Sequence, residues 1–279
     1  MVSRLKCFYS SSSMEAAIPT TFVIQLLMIQ NGLVRSNYHD FYVRKILRAL
    51  VITIKVPQMY QIANYGLCLT HTFKTHLTFG FLFGWNMFHE GNWNRCMENL
   101  ERPEHLEPHG PRISKLIKST ISDWRHPLLL PVILLEDHVY NADRYKGRDL
   151  SIRTTRLERQ LGVTKAGRNV NSLDSFNVEA LDRKTIITKI NTTVTDAVTL
   201  AGNLRWNVRY CQFLRDISKD IRDLIEPMQG REQKLDYTIE TLASLVLSIL
   251  EHTEAIKARL DIQLNVVRDL ILFKNRFKH

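Results

Sequence analysis

The sequence predicts an α+β protein that is predominantly α: a small irregular or α/β N-terminal region followed by a long antiparallel helical hairpin. Three observations carry this. From Arg231 to Phe273 apolar residues recur at heptad spacing. One row holds Ile239, Val246, Leu260 and Val267, the other Leu242, Ile249, Ile256 and Leu270, and only Thr253 and Gln263 interrupt them. A 3–4 spacing also runs through Ile187, Ile190, Val194, Ala197, Ala201, Leu204, Val208, Cys211, Leu214, Ile217, Ile221 and Leu224. Between the two patterns lies Pro227-Met228-Gln229-Gly230, the residue types that end a helix and turn the chain.

The elements before the hairpin follow in order. Residues 1–60 read as irregular apart from Ala49–Val56, a β-branched run that ends at Pro57 and predicts a strand. Phe22–Ile29 and Leu77–Phe88 are apolar but shorter than the roughly 18–20 residues a bilayer requires, so both read as buried core. Pro103, Pro108, Gly110 and Pro111 mark Leu100–Arg112 as a loop. Ile113–Trp124 reads as a short amphipathic helix that His126-Pro127 closes. Leu128–Tyr140 reads as a buried helix with Pro131 in its first turn, where a missing N–H costs nothing. Asn141–Arg168 has eight Lys or Arg against three Asp or Glu and reads as a polar connector, extended by Asn169–Asn177. Three regions result: 1–125 a mixed N-terminal region, 126–177 an apolar helix with a basic connector, and 178–279 a long, stalk-like helical hairpin.

Composition limits function more than it assigns it. A hydrophobic content of 44% and a charged content of 24% are those of a folded domain rather than a disordered chain. The net charge of +10 is split between the two ends: residues 1–60 carry 7 basic and 2 acidic side chains, and residues 183–279 carry 16 and 12. No single nucleic-acid face follows, and Trp85, Trp93, Trp124 and Trp206 form no stacking platform. Cys7, Cys68, Cys96 and Cys211 lack metal or disulfide-framework spacing, which fits a reducing compartment. Gly162-Val-Thr-Lys-Ala-Gly167-Arg168-Asn169 misses the Lys and the hydroxyl of a phosphate-binding loop. His105 and His109 are separated by Pro108, and no nucleophile elbow or metalloprotease motif occurs. The expectation is a protein that is not an enzyme, with no catalytic and no cofactor-binding residues.

Three ordered segments carry a resemblance: His126-Pro-Leu-Leu-Leu-Pro131 with Leu134-Leu135-Glu136; Arg153-Thr-Thr-Arg156-Leu-Glu158 with Leu161-Gly162-Val-Thr; and Ala258-Arg259-Leu-Asp-Ile-Gln263-Leu-Asn-Val-Val with Leu270. Over roughly residues 80–279 the chain resembles the fungal CorA-like Mg²⁺ transporter proteins. The resemblance implies a cytoplasmic domain with a long stalk helix that leads to membrane spans, and partners that are copies of itself or full-length relatives. It also implies Mg²⁺ as the only cofactor to consider, with no ligand residues identified. Lys274, Arg276 and Lys278 would then meet the membrane surface. The family's Gly-Met-Asn signature is absent; Gly84-Trp85-Asn86-Met87 has another order and another place. The expectation is therefore a truncated, non-conducting relative. A soluble helical scaffold for protein interaction is the alternative, and a nucleic-acid binder the weakest reading.

Overall fold

In β2 (Ala49–Lys55) inward and outward residues alternate, with Leu50, Ile52 and Ile54 fully buried between Val51, Thr53 and Lys55. That period of two lets one strand line a core with one face and meet solvent with the other. The computed structural model describes residues 41–46, 49–57, 59, 62, 65–84, 109–120, 126–161, 183–222 and 231–276. β1 (Phe41–Ile46), β2, β3 (Tyr65–Thr72) and β4 (Leu77–Gly84) form an antiparallel meander in the order β1-β2-β3-β4. The registers Ile52↔Leu69 and Leu69↔Gly80 place Leu50, Ile52, Ile54, Leu67, Leu69, His71 and Gly80 on one face. Residues 41–46, predicted irregular, are thus a strand whose pattern (FYVRKI) is too mixed to announce itself.

The helices are α1 (His109–Ser119), α2 (Leu129–Arg144), α3 (Ser151–Gln160), α4 (Arg183–Ile221) and α5 (Arg231–Arg276), with a π-helical segment Tyr145–Leu150 between α2 and α3. The predominantly helical α+β class and the long hairpin are as predicted. α4 and α5 have 39 and 46 residues, hence roughly 60 and 70 Å at 1.5 Å per residue. Their antiparallel sense shows in two contacts: Ser218 Oγ donates to Asp236 at 2.8 Å, and Arg205 pairs with Glu254 at 2.7 Å.

Two compact units emerge. The first gathers the sheet, α1, the start of α2 (to Leu134), the end of α4 (from Phe213) and the start of α5 (to Asp236); the second holds Leu135–Gln212, Tyr237–His279 and Met59–Ile62. In the first, α2 lies over the sheet: Tyr65 Oη donates to the Leu134 carbonyl at 2.7 Å, and a Cβ on Gly80 would come 3.1 Å from Leu130. The start of α2 is fastened by His126, whose Nδ1 accepts the Leu128 N–H at 3.2 Å. In the second, α4 is buried on two sides. Ile190, Ala197, Ala201, Leu204 and Cys211 form the predicted stripe; Trp206 and Tyr210, one turn apart, are buried on a second side.

Three expectations are corrected. Leu77–Phe88 was predicted to be buried core, yet Leu77, Phe79 and Phe81 are exposed, because strand alternation puts only every second residue of β4 on the core face. Asn141–Arg168 was predicted to be a connector, but the chain stays helical through Gln160. Its apolar residues are few but well placed, and Ala142, Tyr145, Leu150 and Leu157 are all buried. The predicted loop Leu100–Arg112 is helical from His109 onward, since Gly110 and Pro111 fall in a first turn, where no intrahelical N–H bond is required. Phe22–Ile29 lies outside the described residues.

Candidate functional site

Charge on the helices of the second unit is arranged in pairs that reach across the chain. Arg259 on α5 grips Glu158 on α3 with both ends of its guanidinium: Nε donates to Oε1 at 2.8 Å and Nη2 to Oε2 at 2.5 Å. The Glu158 side chain is only 9% exposed and that of Arg259 28%, so water screens the pair weakly. Arg153, five residues before Glu158, donates from Nη1 to Asp196 on α4 at 2.7 Å and from Nη2 to the Tyr145 hydroxyl at 2.8 Å. α3 is thereby fixed to both helices of the hairpin.

The π-helical segment supplies the other members of this cluster. Burial pushes the Tyr145 phenol up, so it stays protonated and accepts from Arg153. Burial also raises the Asp149 carboxyl, against the opposing pull of Arg153, Arg148 and Arg144. For Arg153 burial works against the charged form, but Tyr145 and Asp196 more than offset it and the net shift is upward. This chemistry holds helices in place. Each of the two arginines ties α3 to one helix of the hairpin.

The second unit also buries several polar side chains. Asp137 and His138 on α2 are fully buried; Asn141 Nδ2 donates to Asp137 Oδ2 at 3.1 Å, and the His138 ring lies 5.6 Å from that of Trp206. Asn203 on α4 donates to the Thr199 carbonyl at 3.0 Å and reaches Met59 Sδ at 3.7 Å. One turn further along α4, Asn207 is fully buried with neither amide atom hydrogen-bonded, and Gln263 on α5 is in the same condition. Tyr210, also buried, has its phenol raised well above the ordinary value by burial. Among the described residues no group of three or more His, Cys, Asp or Glu is placed to hold a metal ion.

The residues singled out from the sequence fall as follows. Lys274 and Arg276 lie in the last turn of α5, and Lys278 lies outside the described residues. Among the described residues no helix is long and apolar enough to cross a membrane. Asp137 and His138, adjacent on α2, are both interior. His105 and the glycine loop at Gly162–Asn169 lie outside the described residues.

Sequence reasoning missed the pairing of Glu158 with Arg259. Both residues stood in segments already singled out, but nothing local joins positions 101 residues apart. Gln263 did leave a signal, as one of two interruptions in the apolar rows. Asn207 left none, because the second buried face of α4 was not read. Compared with known proteins, the chain matches no protein-family model and no curated protein.

Proposed function

We propose that this chain is a non-enzymatic, CorA-like cytoplasmic domain related to Mg²⁺ transport, unable to conduct ions by itself, that associates with copies of itself or with full-length relatives. The observation that supports this best is the Glu158–Arg259 clamp. Its two ends belong to separate segments of the resemblance, Arg153–Glu158 and Ala258–Leu270, so the two likenesses come together in one packed arrangement. In this reading α5 is the stalk, and Lys274 and Arg276 belong to the last turn, at its membrane end. Mg²⁺ acts through association of the domain.

The test is light scattering and thermal melting of the full chain in EDTA and in millimolar Mg²⁺. The expected result is a change in assembly size or a higher Tm with Mg²⁺, since a ligand that binds only the folded form raises its stability. A chain whose size and Tm both ignore Mg²⁺ would overturn the divalent-cation part of the reading. A second reading, a soluble helical scaffold, is favoured by the uncovered apolar side chains of α5: Tyr237 is 74% exposed and Ile262 59%. A single stable oligomer, indifferent to divalent ions, is its signature.

A further inference from the structure

Between Tyr145 and Gln160 one side of the helix is committed and the other is bare. Tyr145, Leu150, Thr154, Leu157 and Glu158 are buried, while Arg148, Ile152, Arg156 and Arg159 are exposed. Steps of four, four and three residues put the exposed four on one face. The carboxylates nearby are occupied elsewhere: Asp143 pairs with Lys146 at 2.7 Å, Asp196 with Arg153, and Glu158 with Arg259. Asp149 is half-buried and lies among Arg153, Arg148 and Arg144, which outnumber it. Among the described residues Arg148, Arg156 and Arg159 form no salt bridge.

Ile152, 46% exposed, stands among these arginines and gives the face one apolar side chain. A nucleic-acid duplex presents its phosphates outward and keeps its base faces stacked inside, away from that side chain. A bilayer interface offers both: an apolar side chain enters the boundary between headgroups and acyl chains, while guanidiniums beside it stay at the phosphates. We propose that Arg148, Ile152, Arg156 and Arg159 form a docking surface for an anionic lipid bilayer, with α3 lying along the surface and its buried side still packed in the second unit. This surface is distinct from Lys274, Arg276 and Lys278 and does not depend on the family reading.

The experiment is flotation of the full chain with vesicles of phosphatidylcholine alone and of phosphatidylcholine with phosphatidylserine. The expected result is partition onto the anionic vesicles only, lost with added salt, and weakened on the order of 100-fold in the triple variant R148Q/R156Q/R159Q. The triple variant should keep the wild-type circular dichroism and Tm, because all three side chains are exposed. I152S should weaken partition as well, by a smaller factor, which a purely electrostatic contact would not show. Wild-type-like partition by the triple variant would overturn the proposal. So would indifference of the wild type to phosphatidylserine, or complete loss of partition in K274Q/R276Q/K278Q. Tighter binding of single-stranded RNA than of vesicles, sensitive to the same three arginines, would reassign the face to nucleic acid.

Discussion

His71 shows how far a single side chain can be set by its surroundings. It is 1% exposed, its Nδ1 lies 2.9 Å from Thr78 Oγ1, and its ring meets Phe73 edge-on. Burial, and after it the charges of His76 and His126, push the imidazole down to about 4 from 6.5. Above pH 6.5 the ring is neutral folded or unfolded, and the stability of the fold is complete. As pH falls from 6.5 towards about 4, the unfolded chain takes up a proton that the folded chain refuses, and stability is lost. At full extent the loss is about 3 kcal/mol. Urea unfolding of wild type and His71→Gln across this range measures it. The wild type should lose more stability on acidification than the variant, and parallel pH profiles would show that His71 is not buried as neutral imidazole.

At the scale of elements, the question is what holds α3 against the hairpin. Leu157 and Thr154 supply buried contact, but the directional link is Glu158 with Arg259. Removing one partner leaves the other charged and nearly dry. Arg259→Leu should therefore cost about 3 kcal/mol, whereas the double variant Glu158→Leu/Arg259→Leu should regain most of that loss. Denaturant midpoints of the two variants decide between this clamp and a mere surface contact, which would cost under about 1 kcal/mol. The rows of α5 show the same principle from the apolar side. Ile239, Leu242, Val246, Ile249, Ile256, Leu260 and Val267 are all buried, and so are their two interruptions. Thr253 is accommodated because its Oγ1 donates to the Ile249 carbonyl at 2.8 Å. Gln263 has no such local partner and remains the polar defect of the seam.

At the scale of the whole molecule, neither compact unit is a continuous stretch of chain, for α2, α4 and α5 each contribute to both. A fragment of residues 183–279 should therefore not reproduce the native hairpin, since it would leave the second face of α4 bare. That fragment contains Trp206 as its single tryptophan, which in the whole chain is 1% exposed beside His138. Its fluorescence should shift to the emission of a solvated indole, and a buried emission with cooperative unfolding would show that the hairpin is self-sufficient. What the sequence determined by itself is local: the periods of α4 and α5, the strand at Ala49–Lys55 and the helix after His126-Pro127. Each depends on residues within a few positions of one another, and dihedral preference and amphipathic spacing are legible at that range. The tertiary structure alone decided that β4 shows phenylalanines to solvent, that Asn207 and Gln263 are interior, and that Glu158 meets Arg259. It also decided that Arg148, Arg156 and Arg159 form no salt bridge among the described residues. Burial and ion pairing are properties of neighbours in space, and here those neighbours are tens of residues to a hundred residues apart along the chain.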